Sequence, residues 1–428
     1  MSIGKLTSLV SRAGEFQRLL DGPFRDDDGL LMMAIHESGR PLEQSDLSEA
    51  DYTRPPYAGA GPNLLWHQYE NTNWMMGMYL MAQARRAASG DPGALEAGRR
   101  MLGLVLDIYF DQCRKLAVGM FGKPIVGQGG RAAYDTAQEI NADQMYGILC
   151  GLCDFHPFAA PAERRRIEQM VIEITRSFVV RGYYSLSRGR ITEGPTHAVH
   201  ASKPMLFLLL ANRFDPSGGF YDEYLQWFEM HRRNPAVNAT CLSWIWYQSA
   251  IGALRGDEEV YAPGPWNTFV DVISRLASLD PTRRDLFAGR LLDWWDETEP
   301  RLLEDGRLQI SMMVTPETRR WRPIRPNDVK RGPYSCYYGA PIYFSGQWAA
   351  SEAVNVLEHH PNATARVKPW LLKILHGVDF QGLRSLWVMP GHELPTNLIG
   401  FSKQIGAPVM WLYAYWSARA AGIISELD

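Results

Sequence analysis

Apolar positions along most of the chain recur at three- and four-residue intervals, in segments parted by short glycine, proline and aspartate turns. That period predicts helices nearly throughout. The clearest case is NTNWMMGMYLMAQARRAASGDPGALEAGRRMLGLVLDIY, residues 71–109. It reads as about five turns of apolar-rich helix, a stop at SGDP, and a second helix that starts at the proline and runs to about Phe110. The same alternation predicts hairpins from 141–154 with 161–180, 203–212 with 219–230, 238–254 with 265–297, and 346–358 with 366–378, then a last helix over about 405–422. With an N-terminal helix over about 4–20 this makes about a dozen helices, enough for six hairpins. No fixed-period sequence repeat accompanies them. Extended patterns are few: GRLQISMMV near 306–314 and RSLWVMP near 384–390.

Alternate helices differ in charge. Those opening at about 70, 141, 203, 238, 346 and 405 are rich in Gly, Ala, Ser, Met and aromatics, whereas the intervening ones carry runs such as PAERRRIEQM and DPTRRDLFAGR. A helix without a charged face is buried on most sides, so the alternation calls for an inner and an outer ring. YENTNW ahead of the first inner helix, the SGDP turn, and NADQMYGILCGL at the head of the second are similar to segments of the six-hairpin glycosidase superfamily. The chain resembles that superfamily as architecture over about 60–420. The resemblance implies an all-α chain, an (α/α)6 toroid with a few short β segments in its loops, forming one domain over 1–428.

Composition is that of a globular protein, 46% hydrophobic and 21% charged, and the net charge of −3 offers no basic field for nucleic acid or anionic membrane. Runs such as PMLFLLLA fall well short of the roughly 20 apolar residues that span a bilayer. The first residues form an amphipathic pattern without a leader's apolar segment, so the expected location is cytoplasmic. Five scattered cysteines fit reduced, buried thiols, the CGLC pair at 150–153 included.

Candidate chemistry gathers where the inner helices begin. Within AAYDTAQEINADQMYGILCGL, Asp135, Glu139 and Asp143 would form one acidic stripe if the stretch were helical throughout, at some cost from like-charge repulsion. On a helix opening near Asn141, Asp143 shares its face with Gly147, Cys150 and Gly151. That face either lines a central cavity, with room for a ligand, or lets a neighbouring helix pack close. Other inner helices open on Glu70, Asn71, Asn73 and Trp74; Gln144; His197, His200 and Lys203; Asn238; Tyr343, Ser345 and Trp348; and Gln404. In a toroid these ends share one rim, which supplies carboxylates for proton transfer, amides for hydroxyls and indoles for sugar rings. The long polar loop 322–341 adds Arg325 and Tyr338, and 391–403 adds His392. His197 and His200 lack a third ligand at metal spacing, so neither metal nor cofactor is expected.

The expected activity is hydrolysis of an oligosaccharide, uronic-acid-containing ones included, with Asp143 as acid and Glu70 or Asp135 as its partner carboxylate. The alternative is a lyase, in which His197, His200 or Tyr338 removes the proton next to a uronate carboxylate while Asn238 or Arg325 steadies the developing charge. A sugar epimerase is a third reading. The paired W-G-D segments of unsaturated glucuronyl hydrolases are absent, so that activity is not implied.

Overall fold

The computed structural model describes residues 8–36, 38–46, 68–69, 71–125, 133–135, 140–187, 190–193, 202–233, 259–261, 269–304, 306–309, 312–315, 320–323, 343–345, 347–377, 402–404 and 406–428. These are mostly helical. The long helices are α1 (Leu9–Asp21), α2 (Thr72–Ala88), α3 (Gly93–Asp107), α4 (Ala142–Phe155), α5 (Pro161–Val180), α6 (Ser202–Phe214), α7 (Phe220–Arg233), α8 (Phe269–Leu279), α9 (Arg284–Thr298), α10 (Gln347–His359), α11 (Thr364–Gly377) and α12 (Gly406–Ala420). The hairpins expected from periodicity at 71–109 and at 141–180 match α2 with α3 and α4 with α5.

One expectation is corrected. The pattern over 265–297 predicts a single helix, but the chain breaks into α8 and α9 around Pro281, which has no N–H to continue the ladder. Asp280 Oδ1 accepts from the Thr282 N–H at 3.0 Å and from its hydroxyl at 2.5 Å, which closes the turn. The expected helix over 238–254 and the extended segment at 384–390 lie outside the described residues.

Two sets of helices differ in how they are buried. Every residue of α2 from Thr72 to Ala84 is buried, as is α6 from Ser202 to Ala211. In α5 burial is confined to Ile167, Met170, Val171, Ile174, Thr175 and Phe178, one stripe at helical spacing. Contacts follow this division. Helix α2 packs on α4, α4 on α6, α6 on α8, α8 on α10, α10 on α12, and α12 returns to α2. The stripe-buried helices lie against this cycle: α3 on α2, α5 on α4 and α6, α7 on α6, α9 on α8 and α10, α11 on α10, and α1 on α12.

Short strands tie together the starts of the cycle's helices. Strand β1 (Ala34–His36) pairs antiparallel with a strand at Ser402–Gln404, just before α12, and the adjacent Met33 N–H donates to Gln68 O, just before α2. Two further strands, β2 (Lys123–Ile125) and β3 (Ala133–Asp135), form a hairpin ahead of α4. Strands β4 (Ser185–Ser187) and β5 (Arg190–Glu193) form another ahead of α6, and Ile140 bridges to Leu186 between the two. The 306–314 pattern yields Arg307–Gln309, paired with Tyr343–Ser345 ahead of α10, and Met312–Thr315, the middle strand of a three-stranded sheet. The N-terminal ends of α12, α2 and α4 are thereby held at one end of the molecule.

The closest approach is between α2 and α4, and glycine permits it. A Cβ on Gly77 would lie 2.0 Å from the Gly147 carbonyl carbon, and one on Gly151 would lie 2.5 Å from the Gly77 oxygen. Gly147 and Gly151, on the small face of α4, thus pack directly against α2. Gly77→Ala should lower stability by about 3 kcal/mol through overpacking. Gly103→Ala on α3, where a Cβ meets nothing within 4 Å, should raise it by about 0.5–1 kcal/mol. Urea unfolding of both variants checks the contrast.

Candidate functional site

Where α2, α4, α8, α10 and α12 face one another they enclose a small cavity, ≈ 20 Å³, with Met78, Tyr146, Asp271, Trp348, Glu352 and Tyr413 on its wall. Its wall begins in the first turn of α8 and α10, at Asp271 and Trp348, and reaches the third turn of α12 at Tyr413. A space of this size holds one water-sized group.

One side of the wall is a buried ionic network. Asp271 accepts from the Tyr146 hydroxyl, from the Tyr413 hydroxyl at 2.5 Å and from Arg275 Nε at 2.6 Å. The rest of the Arg275 guanidinium forks onto both oxygens of Asp154, at 2.8 Å each. Burial works against the Arg275 charge, but Asp154 and Asp271 more than offset it and hold the guanidinium charged. Burial likewise opposes the Asp154 charge, and Arg275 overcomes it, keeping that carboxyl below its usual range. Both phenols titrate far above their ordinary range, from burial and then from the Asp271 charge. They are donors here and poor bases. Arg85 of α2, 3.8 Å from Glu358 of α10, extends the network to the two remaining walls.

The other side holds Glu352, which accepts from the Thr298 hydroxyl of α9 at 2.8 Å. Its burial raises the carboxyl pKa to about 7, a rise that the charge of Arg301 and the hydrogen bonds from Thr298 and Trp294 only moderate. At neutral pH a large share of Glu352 carries a proton. Near the start of α6, burial pushes the Lys203 ammonium down to about 7.

The residues expected from sequence fall as follows. Glu70, His197, His200, Asn238, Arg325, Tyr338 and His392 lie outside the described residues. Asp143 is in the first turn of α4, as expected, with its side chain outside the described part. Asp135 is in β3 and not on α4, so the acidic stripe is not a helical one; the strand ends seven residues before the helix begins. Asn141 instead caps α4, its Oδ1 accepting from the Gln144 N–H at 3.4 Å, and Gln144 is buried. Asn71 precedes α2 and is half-buried, while Asn73 is buried and donates to the Gly122 carbonyl at 2.7 Å, tying α2 to the strand ahead of α4. Trp74 and Trp348 come together: their rings stack with centroids 5.8 Å apart and planes 9° from parallel. The thiols of Cys113, Cys150 and Cys153 are buried and free, and burial pushes all three up, Cys113 and Cys153 to about 12.

Sequence reasoning missed Asp271, Arg275 and Glu352. The signal for the first two was an Asp and an Arg four apart in FVDVISRLASL, absorbed into what read as one long outer helix. For Glu352 it was the single acid in the first two turns of QWAASEAVNVLEH, four residues after Trp348.

Among the described residues no group of three or more His, Cys, Asp or Glu is placed to hold a metal ion, and no helix is long and apolar enough to cross a membrane. No family model matches the sequence, and no curated protein compared with it matches.

The Glu352 carboxyl makes stability depend on pH. Its folded pKa is raised from 4.5 to about 7, so the native state binds the proton more tightly than the unfolded chain. Stability from this group is complete below about pH 4.5 and is lost as pH rises toward 7. Glu352→Gln removes the ionisation and keeps an acceptor for Thr298. In urea unfolding it should match the parent at low pH and exceed it by up to about 3 kcal/mol at pH 8.

Proposed function

We propose that the two sets of helices form an (α/α)6 toroid and that the chain is a carbohydrate-active enzyme, a glycoside hydrolase taking its oligosaccharide at the end where the inner helices begin. The closed cycle α2–α4–α6–α8–α10–α12, with the other six helices against it, supports the toroid. The observation that carries the activity is the buried carboxyl of Glu352 on the cavity wall, set apart from the ion-paired Asp271. Asp271 accepts from two phenols and a guanidinium, whereas Glu352 is raised to about 7 and keeps its proton. Glycoside hydrolysis needs a protonated carboxyl beside the leaving oxygen and a second carboxylate for water or for the sugar carbon.

In this reading Glu352 donates the proton, the role that spacing alone assigned to Asp143. Asp143, in the first turn of α4, is the second carboxylate. Asp271 holds Tyr146 and Tyr413 in place and is not itself the base, since its oxygens are already taken by donors. Trp74 and Trp348, stacked at the starts of α2 and α10, give the mouth an aromatic floor. Tyr146 and Tyr413, raised far above the range of a working base, do not supply the base an elimination would need.

A panel of neutral and uronate oligosaccharides, followed by reducing ends and by ultraviolet absorbance, tests the reading. Hydrolysis gives new reducing ends alone, and an unsaturated product would replace it with a lyase. A general acid works only while protonated, so kcat should fall as pH rises through about 7. Glu352→Gln and Asp143→Asn should each lower turnover by about two orders of magnitude or more with folding retained.

A further inference from the structure

The cavity wall carries polar groups that the proton transfer does not use. Trp348 Nε1 and Ser351 Oγ, three residues apart on α10, are buried and have no hydrogen-bond partner among the described residues. Native proteins rarely keep a buried donor unmet, and an indole N–H can only donate. The space beside them, ≈ 20 Å³, admits one oxygen-sized group. An acceptor standing there could take the Trp348 N–H, and Asn355, one turn beyond Ser351 on the same face, completes a polar wall.

The charges on the wall decide what kind of oxygen this is. Asp271 and Glu352 are both carboxyl groups, and the Arg275 guanidinium beside Asp271 is committed to Asp271 and Asp154. A carboxylate or phosphate oxygen would meet like charge, whereas a hydroxyl accepts from Trp348 and donates to a neighbouring carboxyl oxygen without adding charge. Size narrows it further. Only a group that projects from a sugar ring on its own carbon can enter while the ring stays outside.

We infer that the cavity is a subsite for the primary hydroxyl of a neutral sugar, with Trp348 and Ser351 as specificity-determining residues. This rests on the carbohydrate reading above and narrows it to oligosaccharides whose buried end is a hexose and not a uronic acid.

One trisaccharide, prepared with a hexose, its 6-deoxy form or the matching hexuronic acid at the non-reducing end, tests the subsite on the full chain. Hydrolysis is measured alongside the ¹⁵N-indole resonance of Trp348, identified by its loss in Trp348→Phe. The hexose-ended sugar should be cleaved and should move the Trp348 resonance, with kcat/KM about tenfold or more above the other two. Ser351→Ala, which removes the hydroxyl without adding bulk, should raise KM for the hexose-ended sugar by a larger factor than for the 6-deoxy sugar. Equal cleavage of the uronate-ended sugar, or cleavage with the Trp348 resonance unmoved, overturns the subsite and leaves the hydrolase reading standing. A resonance that moves without cleavage keeps the subsite and removes the hydrolase. If neither responds, both fall.

Discussion

A guanidinium buried between two carboxylates organises the centre of this protein. Arg275 cannot be left unpaired where it lies, because a lone charge in so dry a place costs far more than a helix contact returns. It therefore fixes α8 against α4 through Asp154, and through Asp271 it sets the phenols of Tyr146 and Tyr413, which come from α4 and α12. Three helices are held in register by five side chains. The position of the cavity, the orientation of its phenols and the separation of its two carboxyl settings all follow from that arrangement.

Close packing on the opposite side makes it possible. Helices usually pack 8–10 Å apart, and the α2–α4 contact is tightened by Gly77, Gly147 and Gly151 until backbone meets backbone. The small residues that follow the acids of 135–143 serve this crossing. What the acids themselves share is position along the chain more than a surface: Asp135 ends a strand, and Asp143 sits where a helix N-terminus favours negative charge. The crossing also draws the start of α2 toward that of α4, where Asn73 meets the Gly122 carbonyl.

Legibility followed the length of the physical signal. Helices with a sustained period, such as α5 over Pro161–Val180, were readable to the residue, because one stripe of apolar side chains over many turns has a single solution. The α8–α9 break was missed because two amphipathic helices separated by a short turn look like one when the turn's Asp280 and Pro281 are read as part of the pattern. The stacking of Trp74 with Trp348, both named from their place at helix starts, was legible in kind. That they would stack on each other, 274 positions apart in the chain, was not.

By itself the sequence determined the class of structure: helices, their alternation between fully buried and one-sided, and the ends at which polar residues collect. Local periodicity and charge suffice for that, since each is a property of neighbours in the chain. Only the tertiary structure decided which carboxyl is ion-paired and which is raised by burial. Asp271 and Glu352 are similar acids in similar apolar helices, and nothing local separates them. What separates them is Arg275 and two phenols gathered around one, and burial against Thr298 around the other. Electrostatic environment is set by what packs nearby in space, and packing is the part of the information that a linear pattern does not hold.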